Sequence, residues 1–159
     1  MFYTGVGARK TPDNILVLMK RIAIKMESYN YTLRSGGAKG ADSAFEFGAG
    51  TLKDIYYAND CTPAAMAIAG NFHPAWDKCG EFAKKLHGRN AFQVLGDNLD
   101  TPSQYCICWT PDGCKSHSTR QYFTGGTGTA ISIADAYNVP IINLATKIDF
   151  DGWTAWTIN

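Results

Sequence analysis

The chain has 159 residues, of which 45% are hydrophobic and 18% are charged, and its formal net charge is +1. This length suits one domain with its own core and is short for two. The near-neutral charge argues against a general nucleic-acid coat, and no apolar run is long enough to cross a bilayer. No basic segment followed by an apolar one opens the chain, so we expect no signal peptide, no membrane partner and a cytoplasmic location.

The cysteines are expected to be free thiols, because their number is odd and the location is expected to be cytoplasmic. They are Cys61, Cys79, Cys106, Cys108 and Cys114. Cys106 and Cys108 belong to one strand-like run, and we expect their thiols on opposite faces of a sheet. Cys114 and His117 lack a second ligand pair for a metal site with Cys108, so neither a metal nor a cofactor is predicted.

The first half of the chain alternates strand-like and helix-like runs. Residues 2–6 predict a strand, and Thr11-Pro12-Asp13 then predicts the start of a helix that continues to about residue 29. A second strand at 31–34, a second helix at 39–47 and a third strand at 52–57 follow. Residues 59–73 show no regular period.

The second half continues the alternation. Residues 74–86 predict a helix, and residues 89–95 continue it after a break at Gly88. A fourth strand at 105–109, a polar loop at 111–122, a helix at 129–137 and a fifth strand at 141–144 follow, and residues 153–158 predict an edge strand. This order predicts one Rossmann-like α/β domain over residues 1–159, with a doubly wound, mainly parallel sheet covered by helices on both faces.

Three glycine-rich turns each close a strand-like run and open a helix-like one. They are Gly5-Val6-Gly7-Ala8-Arg9, Ser35-Gly36-Gly37-Ala38-Lys39-Gly40-Ala41-Asp42 and Gly125-Gly126-Thr127-Gly128-Thr129. Glycines let backbone N–H groups approach an anion at a helix N-terminus, where the helix dipole also favours negative charge. In doubly wound sheets the carboxyl ends of the strands share one edge, so the turns predict a composite site for a phosphate-bearing ligand.

The order of these motifs resembles the SLOG superfamily, which joins DNA-processing protein A with the lysine-decarboxylase-like phosphoribohydrolases. The first two turns and the pair Arg89-Asn90 are similar to motifs of DNA-processing protein A, and the last turn is similar to the phosphoribohydrolase motif. The resemblance covers nearly the whole chain, from Thr4 to Leu144. It departs from the enzymes at one position, because Ser132 stands where their catalytic glutamate would be.

Several side chains near the three turns are predicted to bind the ligand, and some of them have an alternative structural role. Arg9 is expected to grip a phosphate through its two-pronged guanidinium, and Arg89 either does the same or satisfies helix-end carbonyls, beside Asn90. Asp42 either caps a helix or accepts from ribose hydroxyls. The remaining predicted ligand-binding residues are Gly5, Gly7, Ser35, Gly36, Gly37, Gly125, Gly126, Thr127, Gly128 and Thr129 for phosphate, and Trp109, with Tyr122 and Phe123 similarly placed, for stacking on a base.

Three functions follow from the pattern and the resemblance. The first is a protein that binds a nucleotide-derived ligand, a ribose-phosphate or signalling nucleotide, to sense or sequester it, as in phage or defence-related versions of the superfamily. The second is a nucleoside 5′-monophosphate N-glycosidase (phosphoribohydrolase), whose acid must come from Asp42, Glu46 or Asp135. The third is binding of single-stranded DNA through a basic stripe of Arg9, Lys39 and Arg89.

Self-association is also expected. Superfamily members are similar in forming dimers, and the chain has more aromatic residues than a small core easily hides. We therefore predict a homodimer or a larger homo-oligomer, with apolar helices such as the first at the interface.

Overall fold

The computed structural model describes residues 1–159 and shows five strands and six helices. The strands are β1 (Phe2–Gly5), β2 (Thr32–Ser35), β3 (Lys53–Ile55), β4 (Cys106–Cys108) and β5 (Ile141–Asn143). The helices are α1 (Asp13–Ser28), α2 (Ala41–Ala49), α3 (Pro63–Gly70), α4 (Glu81–Leu95), α5 (Thr127–Ala136) and α6 (Lys147–Ile158). Three short 3₁₀ turns lie at Ala58–Asp60, Trp76–Lys78 and Tyr122–Thr124.

All five strands are parallel and form one sheet in the order β3-β2-β1-β4-β5. Thr4 pairs with Arg34 on one side and with Cys106 on the other, so β1 is central. The chain winds outward from β1 in one direction and then returns to its other side. The predicted Rossmann-like, doubly wound α/β fold is confirmed.

The core lies on both faces of the sheet. On one face α1 and α2 pack through residues such as Ile22 and Phe45, and on the other α4 and α5 pack through Val94 and Ile131. The prediction that the thiols of Cys106 and Cys108 point to opposite faces is wrong, since residues two apart on a strand share a face. Both thiols lie in the α4–α5 layer, and Ile107 between them faces α1 and α2.

Three local predictions are corrected. Within 59–73, Thr62 caps a true helix, α3, by accepting the Ala65 N–H. The helix expected from residue 74 begins only at Glu81, after a 3₁₀ turn, and then runs without a break through Gly88. Gly88 is needed there because a side chain would collide with Cys61 and Met66.

The predicted edge strand at 153–158 is wrong, because these residues lie in α6. The Thr146 hydroxyl caps that helix by accepting the Asp149 N–H, and Trp153 and Trp156 then pack toward Tyr105 and Tyr29. This packing forms a groove of 590 Å³ at the amino ends of the strands, which we call the aromatic groove. Its lining residues are Met1, Met26, Tyr29, Tyr31, Tyr105, Gly152, Trp153 and Trp156. No helix combines the length and hydropathy that a membrane span requires.

Candidate functional site

A cleft of 620 Å³ lies at the carboxyl edge of the sheet, where the loops after β1 and β4 diverge. Strand order reverses between these two strands, which is where doubly wound sheets bind ligands. The charged side chains that line the cleft are three cations, Arg9, Lys10 and Arg89, and one carboxyl group, Asp42. The cleft therefore carries a local positive balance although the whole chain is close to neutral.

The turn before α5 presents free backbone donors to this cleft. Gly125 has φ +84°, a conformation that favours glycine, and α5 begins without a side-chain cap. Gly125 and Gly126 are exposed, and their N–H groups donate to no acceptor within the protein. A Cβ on Gly125 would meet no atom within 4 Å, and one on Gly126 would meet only His87 Cε1, at 4.0 Å. Uncapped donors at a helix N-terminus suit an anion.

The turn after β1 forms the facing wall. Ala8 donates its N–H to Trp109 O at 3.3 Å, which fastens this turn to the end of β4. The N–H groups of Gly7 and Arg9 have no acceptor in the protein. Gly40, at φ +82°, is held against the Arg9 carbonyl, so no larger residue fits there. The first two glycine turns thus pack on each other and leave the Arg9 side chain exposed in the cleft.

Asp42 lies at the back of the cleft and is only 4% exposed. Its Oδ2 accepts the Ala38 N–H at 3.3 Å, while Arg89 Nη1 donates to Gly36 O at 2.9 Å. Burial raises the pKa of Asp42 to about 6, although the nearby Arg89 charge opposes the shift. Burial also lowers the pKa of Arg89. A costly buried carboxyl group in a cleft is a mark of functional sites.

Two polar atoms in the same wall have no partner within the protein. They are Arg89 Nε and Gln93 Oε1, and Gln93 is 1% exposed. Buried donors and acceptors are nearly always satisfied in folded proteins. This wall therefore has unused hydrogen-bonding capacity for a polar ligand.

The cleft brings together nine of the fifteen ligand-binding residues predicted from the sequence. Those that line it are Gly7, Arg9, Asp42, Arg89, Asn90, Trp109, Gly125, Gly126 and Thr127. Phe123, the second of the two aromatic residues before the last turn, also lines it, whereas Tyr122 is fully exposed outside.

Other predicted residues form the frame behind the cleft. A side chain on Gly5 would collide with Phe45 and Leu33 in the core, and the Ser35 hydroxyl donates to the Gly5 carbonyl at 2.6 Å. The remaining glycines of this group are covered by neighbouring side chains: Gly36 by Gln93, Asp42 and Arg89, Gly37 by Tyr57, and Gly128 by Arg120. Thr129 is buried, and its hydroxyl lies within hydrogen-bond distance of His87 and Arg120. These residues do not line the cleft.

Two of the three candidate acids lie outside the cleft. Glu46 pairs with Lys53 at 3.2 Å, and Asp135 is exposed and accepts the His117 N–H at 2.8 Å. Ser132, which the sequence resemblance aligns with the catalytic glutamate of the phosphoribohydrolases, is fully buried with its hydroxyl 2.8 Å from His117 Nδ1. Asp42 alone remains as a cleft carboxyl group.

Among the cleft residues to which sequence reasoning gave no role are Lys10, Leu86, His87 and Gln93. The last three lie with Asn90 and Arg89 on α4, at spacings of three and four residues that place them on one helix face. The predicted break at Gly88 hid this spacing, and a continuous helix would have revealed it.

Comparison with protein-family models, with curated proteins and with solved structures returned no match.

Proposed function

We propose that the protein binds a nucleotide-derived ligand, a nucleoside phosphate or signalling nucleotide, in this cleft and thereby senses or sequesters it. One observation carries the proposal: the Gly125–Gly126 turn offers unpaired N–H groups at the N-terminus of α5, in the same cleft as Arg9 and Lys10. Helix N-terminal donors and a guanidinium are the groups that proteins use for phosphate.

The rest of the cleft suits a nucleoside. Trp109 and Phe123 line it, and Phe123 is 62% exposed, so its ring is free to stack on a base. The Asn90 amide and the unpaired Gln93 Oε1 offer polar contacts to a base or sugar. These features support a ligand with both a phosphate and a flat heterocycle.

Sensing or sequestration is favoured over chemistry because the position of the phosphoribohydrolase glutamate is Ser132, which is buried against His117 and outside the cleft. A hydroxyl does not supply the charge of a carboxylate. We further propose that the chain belongs to the SLOG superfamily, whose members include versions found on phages and in defence systems.

Mass spectrometry of small molecules released from the purified, denatured protein tests the proposal. We expect a phosphate-bearing, base-containing compound in the wild type and its loss in Gly126→Phe purified in the same way. Calorimetry with the identified compound then gives its affinity. A wild type that carries no such compound and gives no heat with nucleoside mono-, di- and triphosphates contradicts the proposal.

A second candidate function is N-glycosidase activity, and Asp42 favours it. A buried carboxyl group with a pKa of about 6 is suited to acid–base work near neutral pH. Incubation with AMP, CMP and GMP should then release free base, and Asp42→Asn should release none. Absence of base at high protein concentration rejects this function and leaves the binding proposal intact.

Single-stranded DNA stays a third prediction. Of its expected basic stripe, Arg9 and Arg89 line the cleft and Lys39 does not. Phosphate-driven binding weakens steeply with salt, so a gel shift that is insensitive to salt argues against it.

A further inference from the structure

Three side chains with metal-binding atoms converge next to the cleft. His73 and Cys79 lie in the connection between α3 and α4, and His87 lies on α4. One ligand atom from each of them can be chosen so that all three lie within 4.8 Å of one another. The two imidazole rings are 4.3 Å apart between centroids, and Cys79 Sγ is 3.8 Å from His73 Nε2. All three side chains are partly exposed, so an ion can reach them.

We propose that His73, Cys79 and His87 form a binding site for Zn²⁺. Zinc bonds of about 2.0–2.1 Å to nitrogen and 2.3 Å to sulfur place the ligand atoms of a tetrahedral site roughly 3.4–3.6 Å apart. The ligand atoms of the cluster lie up to 4.8 Å apart, so they must approach one another by at most about 1.4 Å to reach that spacing. A thiolate with two imidazoles selects zinc over magnesium and calcium, which prefer oxygen ligands.

The hydrogen bonding of His87 suits a metal ligand. Burial, with added repulsion from His73 and two arginines, lowers the pKa of His87 to about 4. Its Nδ1 lies 2.9 Å from the Thr129 hydroxyl, and in the tautomer that donates this hydrogen bond Nε2 keeps a free lone pair. Metal-binding histidines are commonly held by such a second hydrogen bond. Burial and Arg120 also lower the pKa of His73.

Two local features oppose binding. The first is positive charge: Arg120 lies near both imidazoles, and Arg89 lies near His87. The second is the Ala75 N–H, which donates to His73 Nδ1 at 3.0 Å. The arginine charge is offset by Cys79, which binds the ion as a thiolate and so places a negative charge directly on it. The hydrogen bond requires the His73 ring to turn, or to release the Ala75 N–H, when it binds the metal.

The proposed zinc site shares one residue, His87, with the cleft. His87 belongs to the cluster and also lines the cleft, 4.0 Å from where a Cβ on Gly126 would stand. Three protein ligands leave a tetrahedral zinc with one further position. A cation on His87 would therefore lie beside the free N–H groups that we assign to phosphate. Zinc binding itself does not rest on that assignment, because Zn²⁺ alone is the probe.

Metal titration of the full chain tests the site. Protein stripped with a chelator and kept reduced with a phosphine is titrated with Zn²⁺ against a chromophoric chelator, and in parallel with Co²⁺. We expect one equivalent bound and a sulfur-to-cobalt charge-transfer band. Cys79→Ser and His73→Ala should each weaken Zn²⁺ binding by more than about tenfold, since even outer-shell changes cost 10–100-fold. Cys79→Ser should also remove the cobalt band.

Cys61→Ser is the matched control, since Cys61 is the other partly exposed thiol and lies against Gly88 of α4. It should bind Zn²⁺ as the wild type does. The proposal is overturned if the wild type binds less than one equivalent, if the cobalt complex lacks the thiolate band, or if Cys61→Ser loses as much affinity as Cys79→Ser. Circular dichroism confirms that each variant is folded.

Discussion

The cleft and the aromatic groove are two hollows of similar volume, 620 and 590 Å³, at opposite edges of the same sheet. The cleft, at the carboxyl ends of the strands, is lined by three cations, a buried carboxyl group and free backbone donors. The groove, at the amino ends, is lined by five aromatic residues and no charged side chain. Volume therefore says little about function, and the chemistry of the walls separates a candidate ligand site from a candidate contact surface.

The largest expected effect comes from filling the cleft. Gly126 already has helical backbone angles, φ −61° and ψ −29°, so Gly126→Phe adds bulk without backbone strain. We expect it to abolish ligand binding in calorimetry and to leave the unfolding temperature close to that of the wild type. Gly152→Phe places the same side chain in the groove, where a Cβ meets nothing within 4 Å, and should bind ligand normally. Equal affinity of the Gly126 variant and the wild type would show that the cleft is not the site.

The buried carboxyl group should make stability depend on pH. Its pKa rises from the usual 3.8 to about 6 on folding, so between these values the native protein holds a proton that the unfolded chain has released. The contribution of Asp42 to the free energy of unfolding then falls as pH rises from 4 to 6 and stays lower above, by about 2–3 kcal/mol. Asp42→Asn lacks this titrating group and should not show the loss. The free energy of unfolding in urea of the variant, relative to that of the wild type, should therefore rise from pH 4 to 6 and then level off. A difference between the two free energies that does not change with pH would contradict the raised pKa of Asp42.

Removing a positive charge that lines the cleft should weaken ligand binding more than removing a neighbouring positive charge outside the cleft. Arg9→Ala is expected to weaken binding of the phosphate ligand by about 1–3 kcal/mol, the range for a hydrogen bond to a charged group. Lys39→Ala removes an exposed positive charge that does not line the cleft and should change affinity little. Equal losses in the two variants, measured by calorimetry at one salt concentration, would indicate a general charge effect.

The smallest expected effect on ligand binding comes from changing the apolar surfaces outside the cleft, which we expect to mediate self-association. We expect light scattering at micromolar concentration to give at least twice the monomer mass of 17.4 kDa. Val17 and Ile24, which are 54% and 57% exposed, lie two turns apart on one face of α1, the helix that the sequence predicted at the interface. Ile24→Lys should lower the mass and leave ligand binding unchanged. A monomer mass for the wild type would contradict the predicted assembly.

Much of the cleft could be predicted because its parts are local in sequence. Gly125 and Gly126 precede a helix-like run, and Arg9 follows a strand-like one, so their place at the carboxyl edge follows from the alternation of elements. Gly5 and Gly128 look the same in sequence but pack against Phe45 and Arg120. The sequence therefore does not distinguish a glycine that borders the open cleft from a glycine packed against a neighbouring side chain, because the tertiary fold decides which of the two it becomes.

The groove and the cluster of His73, Cys79 and His87 could not be predicted in this way. Residues 153–158 have strand-like aromatic composition, and they form a helix because α6 packs Trp153 and Trp156 against Tyr105 and Tyr29. His73, Cys79 and His87 have no metal-motif spacing, and a 3₁₀ turn brings them together.

The sequence by itself determined the five strands, their parallel doubly wound sheet and the sheet edge at which the glycine turns gather, because periodicity, caps and glycine turns act over a few residues. Only the tertiary structure decided which turn residues face the cleft, which carboxyl group enters it and which thiol meets two imidazoles. These depend on contacts between residues far apart in the chain, where packing overrides local preference.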